Sequence, residues 1–250
     1  MDLSVQRSVP SLFHALALGI TALVISAALG TAAYAGVVTT SSVPSSVLKT
    51  TMAAISKQPG VHLVITAKSS SSSSTEKIIA DFGTESGVEN ISKGKAHLAV
   101  RVTPTYAYVS GNSSGLTTIL GLSSADAKEI GKEWVSWKAG MSQYTDLKSG
   151  ITISSVTAVI PKAEGTKLST HVTKGAKLYV LKWTTAATSS SPKISNTLTV
   201  SARGATLPVE ETATTSGGAK ETTVFSKWGK HVLVSAPPIT STISNSQITG

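Results

Sequence analysis

The chain has 250 residues, 40% hydrophobic and 14% charged, with no cysteine and a net charge of +9. That hydrophobic share supports a packed core and excludes wholesale disorder, and the lack of cysteine excludes disulfides, thiolate metal sites and a thiol-linked lipid anchor. The charge does not point to nucleic acid: Arg7, Arg101 and Arg203 are the only arginines, and bidentate phosphate and base contacts favour arginine.

The first element is an apolar run, Leu12 to Leu29, behind Asp2 and Arg7. It is followed by Ala33-Tyr34-Ala35, small residues in the A-x-A spacing that leader peptidases accept. Cleavage after Ala35 leaves Gly36 as the new start. The alternative is an uncleaved anchor, because about eighteen residues of low polarity just span a bilayer. The reading divides the chain into a signal or anchor over 1–35, a flexible tether over 36–43, a single domain over 44–238 and a loose tail over 239–250. The product is expected in the cell envelope or outside the cell, held at the membrane if the first segment stays.

Pro44 to Ser56 predicts a helix, with Val47, Leu48, Met52 and Ile55 near one face and Pro59-Gly60 as its stop. Strands follow. "VHLVITAK" alternates Val61, Leu63, Ile65 and Ala67 with polar neighbours, and "EKIIADFG" puts Ile78, Ala80 and Phe82 on one face. "GVENIS" is a weaker strand, "KAHLAVRV" a strong one, and "TYAYVSG" sets Tyr106 and Tyr108 on a shared face. Short polar turns between strands imply an antiparallel meander.

The middle reads as short helices around one strand: Ser113–Leu120, Ser123–Lys132, the strand "EWVSW", then Ser142–Ser149 and Ile153–Ile160. Ser123 and Asp126 have the spacing of a capping box. Strands return in "TKLSTHVT", "AKLYVLKWT", "SNTLTVSA", "ATLPVEETA", "KETTVFSKWG" and "HVLVSAP", and Pro208 marks an edge or a bulge. Without βαβ alternation a parallel sheet is not expected. The fold class is α+β: a strongly bent antiparallel sheet of about ten strands, a half-barrel, wrapped over several short helices.

One motif has catalytic form. "GNSSG", Gly111 to Gly115, matches G-x-S-x-G between a strand and a helix, which would make Ser113 a nucleophile. Its partners in chain order would be Asp146 or Glu164, then His171 or His231. The structural alternative is a Gly/Ser/Asn turn that caps a helix, and the parallel frame that holds such an elbow is absent. Histidines are isolated and no H-E-x-x-H spacing occurs, so no metal and no cofactor are expected. Glu210 and Glu211 are neighbours on a strand and point to opposite faces. Trp134, Trp137, Trp183 and Trp228 read as core or half-buried strand residues rather than a sugar platform.

The ordered set "GVHLVITAKS", "AHLAVRVTPTYAYVSGNSSGLTTILGLSSADAKEIGKEWVSW" and "GATLPVEETATTSGGAKETTVFSKWGKHVLVSAPP" resembles the actinobacterial envelope lipoproteins that include LppX, LprA, LprF and LprG, over about residues 44–238. The resemblance implies a half-barrel similar to the LolA and LolB carriers, with an apolar cavity for acylated lipids or lipoglycans. Each buried methylene contributes about 0.8 kcal/mol, so such a cavity needs no polar chemistry to hold a chain. Strand faces place its lining at Leu63, Ile65, Leu98, Val100, Val102, Tyr106, Tyr108, Leu116 and Leu120. The lipobox cysteine of the family is missing: "AYAGVV" stands in its place. The expected partner is the acyl part of a lipid or lipoglycan, bound by a monomer, with weak attraction of the basic chain to anionic membrane or wall polymer. A structural or interaction domain with a closed core is the second reading, and a serine hydrolase the third.

Overall fold

The computed structural model describes residues 43–70, 74–158, 160–173, 175–188 and 191–248. Ala35, Gly36 and the rest of 1–42 lie outside them. Helix α1 spans Val43–Ile55. A meander follows: β1 (Gly60–Lys68), β2 (Thr75–Gly83), β3 (Gly87–Lys93), β4 (Ala96–Val102) and β5 (Tyr106–Gly111). The helical middle comprises α2 (Ser113–Thr118), α3 (Ser124–Ile130), strand β6 (Trp134–Lys138), α4 (Ser142–Gly150) and α5 (Ile153–Ala158). A second meander runs through β7 (Lys167–Thr173), β8 (Ala176–Thr185), β9 (Ile194–Ser201), β10 (Pro208–Thr215) and β11 (Lys220–Ser226), and β12 (Thr242–Ser244) closes the order.

All twelve strands form one open, curved sheet ordered β12-β6-β5-β4-β3-β2-β1-β11-β10-β9-β8-β7. The two meanders meet where β1 pairs β11 antiparallel. Only β12 against β6 is parallel. The sheet is thus an α+β half-barrel with two strands more than the expected ten. Its concave face carries the apolar alternation: Val61, Leu63 and Ile65 are buried in β1, and Leu98, Val100 and Val102 in β4. α1 buries Val47, Leu48, Thr51 and Ile55 on the stripe that meets this face.

Three expectations change. "GVENIS" is a full strand paired on both sides. "HVLVSAP" makes no ladder: Val232 and Val234 are half-buried and Leu233 is 94% exposed, so the alternation is real, but the segment is a strap. It leaves β11 and passes the ends of β1–β3, where the Ser86 hydroxyl donates to the Val232 carbonyl at 3.0 Å. Residues 239–248, expected as a loose tail, instead supply β12, and Ile243 and Ile248 pack on the core. Pro208 sits in an interior strand, and the register of β10 against β9 shifts between Pro208 and Glu210, a bulge.

The glycine motif has a packing role. Asn112 caps α2, its side chain accepting from the Gly115 N–H at 2.7 Å and from the His97 N–H at 3.1 Å, and donating to the Lys95 carbonyl at 2.7 Å. A Cβ at Gly115 would collide with the His97 carbonyl, and one at Gly111 would lie 2.6 Å from it. These glycines let α2 press against β4. Gly115→Ala is therefore expected to destabilise the fold by about 2–3 kcal/mol, the range of overpacking, while exposed Ser113→Ala stays within about 0.5 kcal/mol. Urea denaturation of both variants checks this.

Candidate functional site: the concave face of the sheet

Residues directly opposite in neighbouring strands share a face, so the registers divide the concave surface into rows. The first row runs Val61, Phe82, Gly87, Val102, Ala107 and Trp137. The second holds Leu63 with Phe225 on one side and Ala80, Glu89, Val100, Val109 and Val135 on the other. The third holds Ile65, with Ile78, Ile91 and Leu98 towards β4 and Thr223, Glu211, Leu198 and Leu181 towards β8. The fourth holds Ala67, flanked by Glu76, Lys93 and Ala96 and by Glu221, Ala213, Asn196 and Trp183. The face therefore grades from apolar at the first row to a polar rim at the fourth.

The apolar end is pinched from both sides. On the inside the α4–α5 junction crosses it: Gly83 bridges Thr152, and a Cβ at Gly87 would lie 2.7 Å from Ile151 Cγ2. On the outside the strap crosses: a Cβ at Gly60 would lie 2.8 Å from Val232 Cγ2. At the polar rim Lys93, Glu221, Ala67 and Trp183 all retain intermediate exposure, and Lys93 pairs with Glu76 at 3.3 Å.

The buried apolar residues form two clusters rather than one. The larger joins β1–β6, the short helices, Ile55 and Phe225; the smaller joins Val47, Leu48, Leu181, Leu198 and Val200. α1 reaches both, and Thr51 lies on its stripe between them, fully buried, with a hydroxyl that has no hydrogen-bond partner among the described residues. The seam between the clusters runs along β10 and β11, where Glu211, Thr223 and Glu221 face inward.

Of the nine residues expected to line a cavity, Leu63, Ile65, Leu98, Val100, Val102, Leu116 and Leu120 are buried together in the larger cluster. Tyr106 and Tyr108 are not on that face. Ala107 and Val109 take the core side of β5, opposite Val102 and Val100. Tyr108 stands opposite Arg101, whose guanidinium lies 4.6 Å over the Trp134 ring on the convex side. There Arg101 donates to the Ser235 carbonyl of the strap at 3.4 Å. A cavity of about 390 Å³ lies between strap and sheet at this point, and a groove of about 290 Å³ runs beside Lys77, Ile79 and His97.

The hydrolase constellation is not assembled. Ser113 opens α2 with no hydrogen bond to its hydroxyl among the described residues. His171 lies exposed on β7, the edge strand farthest from β5 and β6, and His231 is exposed on the strap. Asp146 lies on α4 and Glu164 is exposed in the loop before β7. The histidine that meets a carboxylate is His62, 2.8 Å from Asp81, on the convex face. Among the described residues no three acidic or histidine side chains converge as a metal site.

The inward carboxyls were missed by sequence reasoning, although their parity was legible. Glu76 shares it with Ile78, Glu89 with Ile91, and Glu221 with Phe225. Glu89 is 1% exposed between Ala80 and Val100, and its Oε2 has no partner. Burial, with Glu76 adding repulsion, pushes it up to about 8. Burial and the Glu221 charge push Glu211 up to about 8, and burial with Glu76 pushes Glu221 up to about 7. Glu211 and Glu221 are strongly desolvated yet keep intermediate exposure.

No protein-family model matches the chain, and no curated protein matches it in sequence. Solved structures do. LprF from Mycobacterium bovis aligns at a TM-score of 0.50 and 13% identity, over 78% of this chain and 96% of that one. The lipoprotein LppX of Mycobacterium tuberculosis aligns at 0.43 and 15%, over 78% of this chain and all of that one. At this identity the likeness to LprF is one of fold, and it agrees with the half-barrel read from the sequence.

The raised carboxyls fix a direction of pH dependence. The folded state binds protons that the unfolded chain has already released above 4.5, so stability falls as pH rises from there through about 8. The Glu89→Gln variant should lose about 4–5 kcal/mol of this fall, the linkage of a carboxyl raised from 4.5 to about 8. Thermal melts of both proteins across that range check it, and parallel curves would remove Glu89 from the account.

Proposed function

We propose that the protein is an exported, non-enzymatic binder of acyl chains, holding the tails of a lipid or lipoglycan between the concave sheet and the short helices, and carrying it within the cell envelope. The observation that supports this most is the graded concave face: apolar and pinched at one end, polar and part-exposed at the other. An amphiphile has that polarity along its length. Tails lie against Val61, Leu63, Ile65, Leu98 and Val100, and the head sits at the fourth row. Transfer of apolar surface from water supplies the affinity, at about 25 cal/mol for each Å². The short helices, of six to nine residues apart from α1, are the elements that move aside, because short helices owe their stability to packing rather than propensity. The likeness of fold to LprF supports the same reading.

In this reading 1–35 is the export signal or an uncleaved anchor, and 36–43 is the tether ahead of the half-barrel. No helix among the described residues is long and apolar enough to cross a membrane.

A specific observation favours a second reading. The seven expected lining residues named above are each 8% exposed or less and form part of one cluster, as in an envelope interaction domain with a filled core. Native mass spectrometry of protein from its own host, with uptake of a fluorescent long-chain fatty acid, separates the two. The carrier shows reproducible acyl adducts, and Ile65→Phe weakens uptake about tenfold with little change in melting temperature. A filled core shows no adduct and no uptake, and Ile65→Phe lowers the melting temperature instead.

A further inference from the structure

We infer that the seam between the two apolar clusters receives the positively charged head of its ligand, an ammonium group borne on an acyl or alkyl chain; this rests on the acyl-binding reading above and narrows it. The seam has an excess of acid that no cation among the described residues balances. Glu211 on β10 and Glu221 on β11 stand one diagonal step apart, since Glu211 opposes Thr223 and Glu221 opposes Ala213. Glu76 lies across β1 from Glu221, both facing Ala67. Lys93 is the one cation on these four rows, and it is paired with Glu76 at 3.3 Å. Neither Glu211 nor Glu221 has an ion-pair or hydrogen-bond partner among the described residues.

Two buried polar groups independently point to a missing partner. Glu89 Oε2, on the concave face, and the Thr51 hydroxyl, on the buried stripe of α1, both lack a partner among the described residues, in residues 1% exposed or less. Native interiors satisfy such atoms. The carboxyls do not converge as a metal site, and a metal ion needs its oxygens within about 2.6 Å. Glu76 is nonetheless close enough to raise the proton affinity of Glu89 and Glu221, and Glu221 that of Glu211. An organic cation suits that spacing, because its N–H donors reach separate acceptors. A neutral polyol head would leave the carboxylates repelling one another. The net charge of +9 repels free cations from the surface, so the attraction is local to the seam and needs the chain to bring the head in.

The test is calorimetric titration of the full chain with n-dodecylammonium, dodecanoate and dodecyl maltoside, each below its micelle concentration. Dodecylammonium should bind about tenfold or more tighter than the other two. Its advantage should grow between about pH 6 and about pH 8.5 as Glu211 and Glu221 ionise, facing Glu76, Glu89 and Lys93 as the other charged groups of the concave rows. The E211Q/E221Q double variant should lose that advantage and keep its affinity for dodecyl maltoside. Its melting temperature should not fall, because the amides remove repulsion, and this keeps the result distinct from misfolding. Equal binding of the three amphiphiles, or an advantage that survives in the double variant, overturns the ammonium inference and leaves the acyl reading standing. Failure of all three to bind overturns both.

Discussion

Burial of one face of a very wide sheet is the constraint from which the rest of the structure follows. Twelve strands at about 4.8 Å spacing would span about 55 Å if flat. The longest helix among the described residues has 13 residues, about 20 Å. No flat arrangement covers the apolar face with so little helix, so the sheet bends until it covers itself. Chain order enforces the bend. β6 lies next to one edge and β7 forms the other, yet they are consecutive in sequence. The link between them, α4 and α5, crosses the concave side and contributes Leu147, Ile151, Ile153 and Val156 to the core.

Bending also explains why the interior is divided. The larger apolar cluster lies under β1–β6, where α2, α3 and α4 supply cover, and the smaller under β8 and β9, where α1 does. Between them β10 and β11 present threonine, alanine and glutamate inward. The polarity of the molecule is thereby inverted: a chain of net charge +9 places four of its 13 acidic residues, Glu76, Glu89, Glu211 and Glu221, on the inner face. Cation-rich exteriors are ordinary, but inward carboxyls without cations are not, since their desolvation is unfavourable unless they protonate or find a partner.

Most of the half-barrel was legible because its strands alternate strictly. "KAHLAVRV" reads Ala96, Leu98, Val100 and Val102 inward, and all four are buried. The odd spacing of Trp134 and Trp137 put them on opposite faces: Trp137 is 7% exposed on the core side, and Trp134 lies under Arg101 outside. Failures came where pattern does not report partner. "HVLVSAP" alternates, but it lies across strand ends and not beside a strand. Thr242–Ser244 has no strong alternation, but β6 offers it an unpaired edge. Tyr106 and Tyr108 do share a face, as their spacing required; which face was decided by Ala107 and Val109, residues small or branched enough to meet the helices. The "GNSSG" motif failed for another reason. Its glycines answer to the backbone of His97, a contact distant in sequence that no local motif can reveal.

The two ends of the half-barrel show how sequence sets a polarity along the concave face. At the first row, glycines stand where chain crosses the strand ends: Gly60 under the strap outside and Gly87 under Ile151 inside. A side chain at either position would force those crossings apart, so that end is sealed by the absence of side chains. At the fourth row the same strands carry Lys93, Glu76 and Glu221, groups that keep water or a polar head at the rim. A closed-core domain has no need of this asymmetry and would be more stable with Glu89 and Glu211 replaced by apolar residues, because buried unpaired carboxyls break the local rules that stabilise a core. Residues that lower stability without a structural return are found where function requires them. The graded face and the divided core are the features on which the proposed reading rests: an amphiphile entering tail first would leave its charged end among the acids of the seam.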